Sequence, residues 1–284
     1  MRRILAASVL VFVMILALQG CGRRSATEIK GSDTMVILCQ AWAEAYTKQH
    51  PGANISVTGG GSGVGIAALI NGDTDIAAAS REMTREELAQ ARARGMKPQE
   101  FIVARDGLSV IVSRANPVSR LTIGQLSDIF TGKITNWKEL GGKDRKIVAL
   151  SRDRSSGTHV FFLERVVRSR NPKAEYANSV LMLPSSQTIA DEVAGNTAAI
   201  GYVGMGYVDL KKQKPLPIAK DANSPFVMPT ERNVLNGTYP IARRLYFYTP
   251  RQPTGTVRGF INFVLSAEGQ WIVAEQDFVP VRKT

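Results

Sequence analysis

The chain has 284 residues, 44% of them apolar and 21% charged, with 25 glycines and 13 prolines. These values suit a globular protein of one or two domains with length for a core, and they exclude a long disordered chain. Two histidines and two cysteines supply no ligand set for a transition metal. The formal charge of +12 favours anionic partners, but no RNA-binding motif or basic-aromatic platform accompanies it.

The N-terminus reads as a targeting segment. "MRR" is a basic start, and "ILAASVLVFVMILAL" is an apolar run too short for a comfortable membrane span. The following "LQGC" resembles the lipobox of bacterial lipoproteins, which implies cleavage after residue 20 and acylation of Cys21. Gln19 departs from the smaller residue usual there. On this reading residues 1–20 are no part of the folded protein. Without Arg2 and Arg3 the remainder holds 34 basic against 24 acidic residues, a charge of about +10. With Cys21 lipidated, Cys39 has no disulfide partner and reads as a small buried apolar residue.

Strand and helix signals then alternate. "TEIKGSDT" is a strand entering a turn, and "MVILCQAWAEAYTKQH" has apolar residues at helical spacing, stopped by "PG". "ANISVTGGG" is a strand, "GVGIAALINGD" a helix and "TDIAAAS" a strand of small residues. Thr84 with Glu87, and Thr122 with Gln125, are capping boxes that open two further helices. Between them "EFIVARDGLSVIVSR" is a long strand pattern broken near Asp106 and Gly107. "KIVAL" is a strand that leads into "SRDRSSGTHVFFLERV". Later strands are "AAIGYVGMGYV", "PLPIA" and "YPIARRLYFYT", and "TVRGFINFVLSAEGQWIVAEQ" reads as one closing helix. Repeated strand–loop–helix units imply an α/β protein.

Three strand-to-helix junctions share a composition: "GSDTM" at 31–35, "GGGSGVG" at 59–65 and "SSGT" at 155–158. Each places glycine and a hydroxyl where a helix begins. Free N–H groups and the helix dipole make such ends seats for anions, and Ser or Thr hydroxyls add short donors. The same residues are ordinary N-cap chemistry, so any single loop also has a purely structural reading. The glycine loop is neither a Walker A motif nor a dinucleotide fingerprint.

In order along the chain, "KGSDTM", "VTGGGSGVGIAAL", "DIAAASRE", "FTGKITNWKELGG", "SRDRSSGTHVFF", "NGTYPIARRLY" and "GQWIVAEQDFVPV" together resemble the bacterial periplasmic phosphate-binding proteins, the receptors of ABC phosphate importers. The resemblance spans nearly all of residues 28–281. It implies a type II periplasmic-binding-protein fold with two lobes and a double crossover hinge: residues 27–106 plus 240–284 in the first lobe, 107–239 in the second. It implies inorganic phosphate as ligand, no cofactor, a monomeric receptor, and ABC permease and ATPase subunits as partners. The location implied is the cell envelope, on the periplasmic or extracellular face, with a lipid anchor.

Residue by residue, the resemblance puts Ser32, the Thr34 hydroxyl and the Met35 amide in the first loop, Ser62 in the second, and Ser156, Gly157 and Thr158 in the third. Its binding arginine falls on Arg152. Where better-studied members carry an aspartate after "AS", this chain has Arg81, either a second site charge or a partner of Glu82 or another acid. Asp106 is then a candidate acceptor for the proton that phosphate carries and sulfate lacks; capping the turn after it is the alternative. Arg243 and Arg244 read as solvated or salt-bridged residues near the crossover, and Asp277 as a turn residue where the family has glycine.

Three functions compete at this point: a phosphate receptor for an importer, a receptor or sensor for another oxyanion such as sulfate, arsenate or tungstate, and a phosphatase or serine hydrolase using the Ser-Gly-Thr-His cluster. The last lacks components. His159 lies three residues past Ser156 at a helix start, facing away from the loop, and no G-x-S-x-G elbow exists.

Overall fold

The computed structural model describes residues 26–282; Cys21 and the leader lie outside them. The first half of the chain runs β1 (Thr27–Gly31), α1 (Val36–Gln49), β2 (Ile55–Gly60), α2 (Ser62–Asn71), β3 (Ile76–Ala79), α3 (Arg85–Ala93), β4 (Gln99–Gly107), β5 (Ser109–Ser113), β6 (Leu121–Thr122) and α4 (Ile123–Phe130). There follow β7 (Val148–Arg152), α5 (Gly157–Arg165), β8 (Leu181–Leu183), α6 (Ser186–Gly195), β9 (Ala199–Val203), β10 (Gln213–Pro215), β11 (Ile218–Ala219), α7 (Glu231–Leu235), β12 (Ala242–Thr249), α8 (Gly255–Val264) and α9 (Ala267–Glu275). Among the described residues no helix is long and apolar enough to cross a membrane.

These elements build two five-stranded sheets, in the orders β2-β1-β3-β12-β4 and β10-β5-β9-β7-β8, with β11 and β6 as a small separate pair. Each sheet with its helices forms a lobe. Strand β3 is buried at every position, because it is the central strand of a mixed sheet, parallel to β1 and antiparallel to β12, with apolar clusters on both faces. Trp42, Phe247 and Phe260 anchor the first core, with Cys39 buried beside them, and Phe130, Trp137, Phe162 and Tyr202 anchor the second. Both predicted capping boxes form, at Thr84 and at Thr122.

The broken strand pattern at Asp106-Gly107 is where the chain changes sheets: β4 ends at Gly107 and β5 begins at Ser109. The return is made by β12. Strands β4 and β12 pair antiparallel with Arg243 opposite Asp106, and the Leu108 N–H donates to the Ile241 carbonyl at 2.9 Å. The two crossing segments are thus hydrogen-bonded neighbours.

The closing helix predicted from the sequence is two helices. Ser266 caps α9 by accepting from the Gly269 N–H at 3.2 Å, and α8 stops at Val264. Apolar spacing continues across this break, so periodicity alone does not reveal it. Asp277 has φ of 56°, the left-handed turn conformation that a glycine would take without strain.

Behind the third loop, a polar network ties β7 to α5. The His159 Nδ1–H donates to the Arg152 carbonyl at 2.9 Å and lies 3.2 Å from Ser151 Oγ. Ser151 Oγ is 2.5 Å from the Tyr202 hydroxyl, which is 2.8 Å from that of Tyr176. Burial pushes the Tyr202 phenol up to about 12 and pulls His159 below its ordinary value of 6.5, so both stay neutral. His159 is therefore a neutral strut. The unfolded chain takes up this proton at higher pH than the native one, so stability is complete above about pH 6.5 and declines as pH falls toward the lower native value. Replacing His159→Gln should flatten this dependence. Urea unfolding from about pH 7.5 to 5 should give wild type a slope steeper than the variant's by up to about 1.4 kcal/mol per pH unit. Parallel curves would remove His159 as the cause.

Candidate functional site

Three helix starts converge between the lobes. A short 3-10 turn, Asp33–Met35, runs into α1; Ser62 opens α2; Ser156 caps and Gly157 opens α5. All three follow the carboxyl ends of parallel strands (β1, β2 and β7), where open α/β sheets place their ligands. The Thr34 and Thr158 hydroxyls meet across the lobes at 2.7 Å. Ser62 Oγ accepts from the Ser80 N–H at 3.0 Å and lies 3.3 Å from Ser80 Oγ. Nearby, the Gly63 N–H donates to the Ser155 carbonyl, and Ser155 Oγ to the Gly60 carbonyl, both at 3.0 Å. Gly61, with φ of 100°, makes the turn into α2.

The cation among these groups is Arg243. Its side chain is buried with 2% exposure, and it donates to the Thr158 hydroxyl at 3.0 Å, the Thr34 hydroxyl at 3.4 Å and the Ser80 carbonyl at 3.3 Å. Its Nε and Nη2 both donate to Asp106 Oδ2, at 3.0 and 2.8 Å. Burial pulls its proton affinity down, Asp106 opposes that, and an arginine stays charged in either case. The Phe161 ring lies 5.6 Å from the guanidinium carbon. A cavity of about 390 Å³, lined by Ser80, Arg81, Phe161, Arg243, Arg244 and Tyr246 among others, adjoins this point. The cluster is a set of hydroxyl donors, helix N-termini and one full positive charge, with a single compensating carboxylate: the chemistry of an oxyanion seat.

A model of the PBP superfamily domain matches residues 21–268. The phosphate-binding protein PstS of Staphylococcus epidermidis is 34% identical over 248 residues, 85% of this chain and 74% of that one. A Clostridium perfringens chain, assigned to a phosphate ABC transporter as its substrate-binding protein and solved with bound phosphate, superposes with a TM-score of 0.81. It is 35% identical, with 91% of this chain and all of that one covered. An ABC-type phosphate transport receptor from Vibrio cholerae gives 0.70 at 32% identity, covering 89% and 98%. The chain belongs to the PstS phosphate-binding family.

Against the expectations for a PstS protein, the loops converge and the charges are redistributed. Ser62, Gly157, Thr158 and Thr34 come together. Ser156 lies at the helix start as expected, where its side chain accepts from the Thr158 N–H at 3.2 Å. Ser32 Oγ is buried with no partner among the described residues. The Met35 amide is already committed to the Ser32 carbonyl at 3.0 Å and its side chain is core, so the first loop offers Thr34 instead. Arg81 pairs bidentately with Glu87 at 2.7 and 2.8 Å and donates to the Glu82 carbonyl, so it lines the cavity beside Ser80 and Arg243 with its charge matched by Glu87.

Arg152, expected to face the anion, donates to Asp33, Ser186 Oγ and the carbonyls of Leu183 and Pro184. None of these partners is one of the Thr34, Ser62, Ser80 or Thr158 hydroxyls, whereas Arg243 donates to two of them. Asp106, expected to read the phosphate proton, turns Oδ2 to Arg243 and Oδ1 to the Met205 N–H at 3.0 Å. It holds Arg243 in place. Sequence reasoning missed Arg243 and Ser80. The signal for Arg243 was its register: Ile241, Arg243 and Leu245 alternate toward one buried face, so Arg243 occupies an apolar position while Arg244 points outward.

Gly157 shows how tightly the lobes meet. A Cβ there would stand 2.3 Å from Ser62 Oγ and 2.7 Å from Ser80 Oγ. Gly157→Ala should therefore leave each lobe folded but hold the lobes apart, with circular dichroism unchanged and anion affinity reduced by about a hundredfold or more in titration calorimetry. Wild-type affinity in this variant would mean that the loops do not close in the bound state as they do here.

Proposed function

We propose that this chain is the receptor of an ABC phosphate importer, binding inorganic phosphate between its lobes and delivering it to the permease and ATPase subunits. The observation that carries this is the meeting of Thr34 and Thr158, at helix starts of opposite lobes, on the buried Arg243, with Ser62 of the remaining helix start joined to the cluster through Ser80. A dehydrated oxyanion is a ligand that can exchange the bonds these hydroxyls make to one another and to Arg243 for bonds to itself without leaving donors unpaired. In this reading the ligand groups are Thr34, Ser62, Ser80, Gly157, Thr158 and Arg243, with Ser32 and Ser156 at the margin, and Asp106 positions the arginine. The lobes are residues 27–106 with 240–284, and 107–239. The protein acts as a monomer at the cell envelope, held to a membrane through lipid on Cys21. Its role is binding, and no catalysis is assigned.

A second reading, a receptor for oxyanions in general, is favoured by the engagement of Asp106. With both oxygens turned to Arg243 and Met205, it makes a poor sensor of the proton that separates phosphate from sulfate. A thermal-shift panel on residues 22–284 decides between the two. A ligand at 100 times its Kd stabilises the native state by about 2.7 kcal/mol. Phosphate is expected to raise Tm, and no response to phosphate would overturn the receptor reading. Asp106→Asn should weaken phosphate and sulfate by similar factors, since it disorients Arg243 for both. A loss of discrimination, with sulfate gaining on phosphate, would return the proton-reading role to Asp106.

A further inference from the structure

The second buried arginine, Arg152, marks another seat for negative charge, and it is filled by the protein itself. Asp33, on the first loop, reaches into the opposite lobe. Its Oδ2 accepts from Arg152 Nη1 at 2.8 Å and from the Ser186 N–H at 2.7 Å. Ser186 is the first residue of the ten-residue helix α6, capped by Ser185. The Asp33 carbonyl accepts from the Tyr207 hydroxyl at 2.8 Å. Arg152 is 1% exposed and Asp33 18%, so the pair is largely withdrawn from water. The Leu183 and Pro184 carbonyls and Ser186 Oγ hold Arg152 independently of Asp33. The seat therefore belongs to the second lobe, and the anion in it comes from the first.

We propose that Asp33 is a tethered anion that latches the lobes shut, so that phosphate is retained partly by a carboxylate that does not touch it. Asp33 adjoins Thr34, whose hydroxyl meets Thr158 and Arg243. Seating Asp33 thereby brings Thr34 to the site, and phosphate and carboxylate favour the same closed arrangement from neighbouring seats. Two ligands that prefer one state bind with positive coupling, and a tethered ligand acts at high effective concentration. The expected signature is in release: loss of the latch lets the lobes part sooner, while capture of phosphate by the open form is little changed.

This inference rests on the receptor reading, and its test separates the two. The full-length protein and Asp33→Asn are compared by phosphate release in stopped flow and by small-angle scattering without phosphate. The variant is expected to release phosphate about tenfold faster or more, with an association rate close to wild type and a larger radius of gyration. A merely local role for Asp33 would lower the urea midpoint and leave release and scattering unchanged, which would overturn the latch. Tyr207→Phe removes only the bond to the Asp33 carbonyl; it should shift release in the same direction by a smaller factor, and it serves if Asp33→Asn folds poorly. Absence of phosphate binding by the wild type would refute the receptor reading, and scattering would still decide the latch.

Discussion

A full positive charge buried between two lobes is the constraint on which this structure turns. Removing a guanidinium from water costs several kcal/mol, and deleting one partner of a buried pair costs about 3–5 kcal/mol. Arg243 therefore has every donor accounted for: Asp106 takes Nε and one Nη2 hydrogen, and Ser80, Thr158 and Thr34 take the rest. Asp106 and Arg243 are cross-strand partners on the two segments that join the lobes. The charge is thus fixed to the paired segments that connect the two lobes, and not to a loop of either one. A cation on a mobile loop would need ordering each time a ligand arrived; here that ordering is built in.

Around this fixed point the two lobes bring uncharged donors. Helix N-termini and hydroxyls supply partial positive charge without further ions to desolvate, so dehydration of the site costs less than with added lysines or arginines. The loops are small for a steric reason. Gly61 packs on the Ser155 backbone, and Gly157 packs on Ser62 and Ser80, at distances that leave no room for a side chain. Close approach of backbone to backbone is what lets short hydroxyls from both lobes reach one small volume.

Much of this was legible in the chain. The three glycine-hydroxyl junctions stood out because helix-start chemistry is local, written in four or five consecutive residues. The two capping boxes and the turn at Asp277 were legible for the same reason. The charges were less so. Arg152 and Arg243 are each a buried arginine beside a strand end, and which one meets the hydroxyls depends on contacts over 119 and 137 residues, with Asp33 and with Asp106. Only the apolar register of Arg243 carried a trace of its role. The break between α8 and α9 escaped because apolar periodicity runs through it.

The two buried ion pairs divide a task that one strong site could not perform well. If all the attraction lay between phosphate and protein, tight retention would also mean slow surrender to the importer, since release requires breaking those same bonds. The Asp33–Arg152 pair lies on protein groups in both lobes, so a surface that holds the lobes apart breaks it without touching the ligand. Tyr207 and Ser186 would be freed in the same motion. Part of the retention then resides in closure itself. On the proposed reading, separating the lobes by a few ångströms would remove the latch and the hydroxyls of one lobe together, and would leave phosphate facing Arg243, whose charge Asp106 already balances.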